Sequence, residues 1–138
     1  MSTKGVVFAV DYWKRVGIVE PTLAEANTVD IFSIFEGGLR EEIRTGRVVP
    51  VHSDSLVAIG PLKGLLKGRF ADMIFIDCDH SYEITKRDIV NYSKLLGKGG
   101  LLCGHDYSVN WPGVPKAVDE ILPGRKVVAG ESIWYFEK

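Results

Sequence analysis

Two cysteines, no hydrophobic run of membrane-spanning length and no surplus of either charge mark what this 138-residue chain has little of. Cys78 and Cys103 lie in or beside runs that read as buried strands, and their spacing matches no zinc or redox motif. Buried free cysteine behaves mostly as a small hydrophobe. If the two are neighbours on adjacent strands, a cytosolic compartment keeps them reduced. Seventeen Lys and Arg against eighteen Asp and Glu leave a net charge of −1, which exerts no general pull on nucleic acid or anionic lipid. No cluster of basic residues interleaved with aromatics marks a nucleic-acid surface, so no nucleic-acid partner is expected. No apolar run approaches the roughly eighteen residues that span a bilayer, so no membrane association is expected. The N-terminal segment has no signal-peptide core, and the expected location is cytoplasmic. Repeats, low-complexity tracts and domain-dividing linkers are likewise missing. An ordinary globular composition over this length predicts one α/β domain, residues 1–138.

What is present is an alternation of short apolar runs with helical patterns. Gly5–Val10 reads as a strand ending at Asp11, and Tyr12–Pro21 as a loop. Val29, Phe32, Ile34, Phe35, Leu39 and Ile43 recur at helical spacing within Thr28–Thr45, with Gly37 and Gly38 weakening the middle. Arg47–His52 reads as a second strand, with Pro50 arguing for an edge position. Ser53, Asp54 and Ser55 supply an N-cap for a helix reaching about Leu66. The third strand is Met73–Ile76, followed by a helix over Tyr82–Leu96 that Gly97, Gly99 and Gly100 are suited to end. The fourth strand is Leu101–Gly104. After a loop containing Trp111, Pro112 and Gly113, a short helix covers Val114–Leu122. Lys126–Ala129 and Ser132–Phe136 then form an antiparallel hairpin.

The third and fourth strands stop abruptly on acidic and imidazole side chains. In open parallel sheets ligands bind just outside the carboxyl ends of the strands, so Asp77, Asp79, His80, His105 and Asp106 gather where chemistry is done. Asp77, His105 and Asp106 offer two carboxylates and an imidazole, a set that suits a divalent cation; the same residues also suit plain satisfaction of strand ends and helix N-termini. His80, at the start of the next helix, is placed to take a proton from a hydroxyl. Asp79 is the competing base, and it also suits helix capping together with Glu83. Asp11 is either a ribose-binding acid or a solvated loop residue, and Asp54 either meets an adenine amino group or caps a helix. Tyr107 and Trp111 either line a substrate pocket or serve as packing aromatics.

Read in order, VFAVDYW (Val7–Trp13), VVPVHSDS (Val48–Ser55), FIDCDHSYE (Phe75–Glu83), LLGKGGLLCGHDY (Leu95–Tyr107), WPGVPKAVDEIL (Trp111–Leu122) and the terminal SIWYFEK resemble the later part of a class I S-adenosylmethionine-dependent methyltransferase. The likeness is greatest to the metal-dependent bacterial O-methyltransferase branch, which acts on sugars and natural products. It implies a truncated Rossmann-like fold: a mostly parallel sheet with helices on its faces and a C-terminal antiparallel hairpin. It further implies S-adenosylmethionine as cofactor, with Asp11 at the ribose and Asp54 near the adenine. A divalent metal, expected to be magnesium, falls to Asp77, His105 and Asp106; the family places carboxylates or an amide where His105 stands, which leaves manganese, iron or zinc open. The catalytic base falls to Asp79 or His80. The implied reaction lowers the pKa of an acceptor hydroxyl, removes its proton and lets the oxygen attack the sulfonium methyl in line. The implied acceptor is a small-molecule or sugar hydroxyl.

The chain departs from the family at its start. Members open with a strand, a glycine-rich turn and a helix that cradle the cofactor's methionine end, whereas only six residues precede Val7 here. The first strand and helix are therefore expected to be missing. Gly5–Val10 is expected to pair directly with Met73–Ile76, or a second chain to fill the gap. The uncovered apolar face predicts a homo-oligomer. Two functions compete: an active methyltransferase, and a methyltransferase-fold remnant that binds a ligand or a protein without catalysis.

Overall fold

The apolar runs that end on acids fold as parallel strands, and they do so in two separate ladders. The structure is a computed structural model that describes residues 5–13, 30–128 and 130–138. Most of the loop expected over Tyr12–Pro21, the first residues of the helix expected from Thr28, and Ala129 lie outside the described residues. The chain divides into two units, Met1–Ala58 and Ile59–Lys138.

In the first unit β1 (Val7–Asp11) lies parallel to β2 (Val48–His52), in a register that sets Ala9 opposite Pro50 and Asp11 opposite His52. Among the described residues Pro50 sits in a two-stranded sheet, where every strand is an edge and its missing amide does least harm. The expected long helix is two short ones, α1 (Ile31–Gly38) and α2 (Arg40–Arg44). Asp30 caps α1, accepting from Ser33 N at 3.1 Å. The break falls at Leu39, whose φ of −120° and ψ of 24° leave the helical region directly after Gly37 and Gly38. Trp13, at a φ of 56°, packs against Phe35 with ring centroids 4.1 Å apart and planes tilted by 41°. Its amide donates to Asp11 Oδ1 at 2.7 Å, a local bond that holds the turn.

Asp54 caps α3 (Ser55–Leu66). In the second unit β3 (Ala71–Ile76) runs parallel to β4 (Leu96–Gly104), and β6 (Trp134–Glu137) runs antiparallel to both β4 and β5 (Lys126–Val127). The sheet order is β3-β4-β6-β5, so the expected hairpin forms with its second strand inserted against β4. Helix α4 covers Tyr82–Tyr92 and α5 covers Gly113–Ile121. The helix expected to reach Leu96 stops four residues early. Ser93–Leu95 form the turn, and Gly97, Gly99 and Gly100 lie within β4. There they accompany a bulge between the Ala71–Leu96 and Met73–Leu101 pairs, and Gly99 takes a φ of 76°. The core joins Ile89 of α4 and Val114, Ala117 and Val118 of α5 to Ile76, Leu96, Leu102 and Trp134 of the sheet.

One expectation is corrected. Among the described residues β1 pairs with β2 and β3 with β4, and no ladder joins β1 to β3. In the fold that the sequence resembles, these two strands flank a third, so neither is shaped to receive the other directly. Met73 and Phe75 on β3 accordingly remain 56% and 49% exposed. Among the described residues no helix is long and apolar enough to cross a membrane.

Candidate functional site

The parallel register places Ile76 opposite Gly104 at the last ladder position of β3 and β4. The two chains therefore leave the sheet side by side, and His105 N donates to Ile76 O at 3.2 Å. Gly104 is required by this closeness. A Cβ there would lie 2.3 Å from Ile76 O and 2.6 Å from the Trp134 ring. Two residues on, Asp106 adopts a φ of 60°, a left-handed conformation that aspartate tolerates better than most residues. Strain of this kind tends to collect at functional sites.

That turn brings the Asp106 carboxylate to His80, whose Nε2 lies 2.7 Å from Asp106 Oδ2. Asp77, His80 and Asp106 present ligand atoms that all lie within 4.8 Å of one another. His105 is adjacent, with Nδ1 3.3 Å from Asp106 Oδ1 and Nε2 2.8 Å from the Ser132 hydroxyl. Asp77, Asp79, His80, His105, Asp106 and the Trp134 indole share one cavity of about 10 Å³, the scale of a single water site. Trp134 is fully buried, and among the described residues its Nε1–H has no hydrogen-bond partner.

The loop bearing these groups is held from below. The Cys78 thiol donates to Asp88 Oδ2 at 3.3 Å, and the buried Asp88 also accepts from Arg87 Nε at 2.8 Å. Burial, then the Asp88 charge, push the Cys78 thiol up to about 12, which makes it a structural group with no nucleophilic use. Asp79 bends back to accept from Ser81 N at 2.7 Å. Hydrogen bonds from the Ser81 side chain and amide hold its carboxyl below the ordinary range, and Asp79 thereby holds the turn into α4. Trp111 lies over His80, with ring centroids 4.1 Å apart and planes 25° from parallel. Tyr107 is turned to Asp119, to which its hydroxyl donates at 2.8 Å.

The other two predicted acids belong to the first unit. Asp11 closes β1, and Ser53 N donates to its backbone carbonyl at 3.0 Å. Asp54 Oδ1 accepts from Leu56 N at 2.7 Å and Val57 N at 3.2 Å, while Oδ2 accepts from the Tyr12 hydroxyl at 2.9 Å. The capping alternative weighed for Asp54 is thus realised. The sequence reading did not single out Trp134 or Gly113. A tryptophan near the chain end carries no local signal that it reaches a site built by β3 and β4.

Comparison with known proteins bears on the same residues. A family model described as a methyltransferase domain matches residues 2–107. Among solved structures, the chain is similar to CalS11, a calicheamicin methyltransferase, at 15% identity and a TM-score of 0.69, covering 96% of this chain and 60% of that one. An apo structure of CalS11, described as a TDP-rhamnose 3′-O-methyltransferase, aligns at 17% identity with a TM-score of 0.63, covering 96% and 58%. A Clostridium thermocellum protein assigned as an rRNA-methylase aligns at 17% and 0.55, covering 97% and 73%. At these identities the likeness is one of fold. The chain spans about 60% of the length of the first two structures. No curated protein sequence gives a significant match.

Proposed function

The chain belongs to the methyltransferase-domain family, and on that premise we propose that it transfers the methyl group of S-adenosylmethionine to a hydroxyl of a small-molecule or sugar acceptor. The observation that carries this reading is the 2.7 Å His80–Asp106 pair at the carboxyl ends of β3 and β4, where this kind of sheet does its chemistry. CalS11, described as a TDP-rhamnose 3′-O-methyltransferase, supports a sugar as the acceptor class.

His80 is the base. With its proton on Nε2 and directed at Asp106, Nδ1 is free to accept the acceptor's hydroxyl proton, and the carboxylate steadies the imidazolium that forms. The acceptor oxygen then bonds to the methyl carbon as the carbon–sulfur bond breaks, leaving S-adenosylhomocysteine as a neutral thioether. Asp79 is the second choice of base, since its Oδ1 already accepts from Ser81 N at 2.7 Å. Asp11, at the end of β1, serves the ribose end of the cofactor, while Asp54 keeps the helix-capping role that its oxygens fill.

The donor set also fits a divalent cation. Asp77 and Asp106 supply the oxygens that magnesium favours, with the imidazoles of His80 and His105 beside them. When bound, the cation would lower the pKa of the acceptor hydroxyl. Self-association is part of the proposal, since Phe70, Met73 and Phe75 leave an apolar run exposed at β3. A cytoplasmic setting suits the two free thiols.

The test is release of S-adenosylhomocysteine from S-adenosylmethionine across a panel of sugar hydroxyl acceptors, with magnesium present. Turnover lost by at least a hundredfold in His80→Ala, with the cofactor still bound, supports the assignment. Equal turnover in His80→Ala overturns it. Cofactor binding without turnover on any acceptor favours the ligand-binding remnant.

A further inference from the structure

The segment Trp111–Gly113 touches the His80 loop in two ways that packing alone does not require. The Trp111 indole lies nearly parallel to the His80 imidazole at 4.1 Å, yet the residue remains 41% exposed, so burial is not what fixes it there. Two residues on, the backbone of Gly113 presses against the backbone of His80–Tyr82. A Cβ at Gly113 would stand 2.5 Å from both His80 O and Tyr82 N and 3.0 Å from Ser81 C. Only glycine fits that approach, because the atoms it meets are main chain and cannot rotate aside. Behind it, Val114, Ala117 and Val118 of α5 are buried in the core. The turn is closed by Val114 N donating to Trp111 O at 2.9 Å.

From these contacts we infer that Trp111 and Gly113 form a clamp that positions His80. The core-anchored start of α5 sets the height of the His80 backbone through Gly113, and the Trp111 face confines the imidazole to the plane in which Nε2 meets Asp106. A histidine one-third exposed beside a turn otherwise samples several rotamers, and a base must be held in line with the proton it takes. Trp111 is thus a positioning residue, acting through His80. The inference deepens the proposed function and rests on it for its consequence, although the clamp itself is a property of the metal-free chain.

The test separates the two. In the metal-free protein at a pH of about 8.5, where histidine is ordinarily neutral, NMR of the His80 ring reads both ring-proton positions and the tautomer. Wild type should show upfield-shifted ring protons under the indole and a single Nε2–H tautomer. Trp111→Leu should move those protons downfield toward free-imidazole values and mix the tautomers, while Trp111→Phe, which keeps a ring face, restores most of the wild-type pattern. Gly113→Ala should shift the same signals with Trp111 retained. Should that variant fail to fold, the Trp111 pair still decides. Because Asp106 is oriented by His80, Mn²⁺ binding should weaken by about tenfold in Trp111→Leu, as when other partners that orient a metal ligand are lost. His80 signals unchanged in a folded Trp111→Leu protein overturn the clamp. A wild type that binds no Mn²⁺ but shows the signal changes supports the clamp and overturns the metal half of the proposed function.

Discussion

In Ile59–Lys138 nine residues, from Ile76 to Trp134, form one buried cluster under a four-stranded sheet. In Met1–Ala58 the described sheet has two strands, α1 and α2 bury no residue, and β2 buries only Val48. The proposed base, its carboxylate partner and the candidate metal donors stand on the first of these, while Asp11 and Asp54 stand on the second. Groups that must hold an angle to a reacting atom gain from a scaffold whose side chains have nowhere to move. A residue that holds a cofactor's ribose can be ordered by the ligand itself, at a cost to affinity.

That contrast breaks most visibly at Trp134. Trp134→Ala removes the largest buried side chain and should cost about 3–5 kcal/mol, whereas Ile34→Ala on the exposed face of α1 should stay within about 0.5 kcal/mol; urea unfolding followed by circular dichroism measures both. Glycine substitutions give the next effect, with opposite signs in the two units. Gly104→Ala drives a methyl into Ile76 O and the Trp134 ring and should destabilise by about 1–3 kcal/mol. Gly37→Ala meets nothing within 4 Å in α1 and should stabilise by about 0.5–1 kcal/mol; thermal midpoints of the two variants compare them. Asp54→Ala removes the α3 cap and should cost about 1 kcal/mol, seen as faster amide exchange at Leu56 and Val57.

The smallest expected effect is a pH dependence. Asp79's carboxyl is held low by Ser81, so its folded pKa lies below the unfolded value of about 3.9. Its contribution is then present above that value and lost as pH falls through the depressed folded one. Urea midpoints taken from pH 7 down to about pH 3 should fall less steeply for Asp79→Asn than for wild type. An identical acid limb in both would show that the Ser81 contacts add nothing.

Much of the site was legible because strand ends announce themselves. Apolar runs stopping on Asp77 and on His105–Asp106 located the edge of the sheet, and Asp54 between two serines announced a cap. Pairing was not legible at that level. Nothing local says that His80 would meet Asp106, because that depends on the left-handed turn at Asp106 and on a register set by Gly104. The helix boundary at Tyr92 is not legible because Leu96 continues the face of Tyr82, Ile89 and Tyr92 into what is already β4. The absent β1–β3 ladder was hidden for a different reason, since strand patterns carry polarity of face and no address for a neighbour. The His80–Trp111 stack joins residues too far apart in sequence for any periodicity to connect.

The central claim is that this chain forms a working cofactor site together with the β3–β4 chemistry. Calorimetric titration of the purified chain with S-adenosylmethionine and S-adenosylhomocysteine, with and without magnesium, tests it most directly. The account predicts micromolar binding, on the order of −8 kcal/mol, weakened in Asp11→Ala. A folded chain that gives no binding heat with either ligand, at any magnesium concentration, would contradict it and leave the strand-end acids as inherited structure.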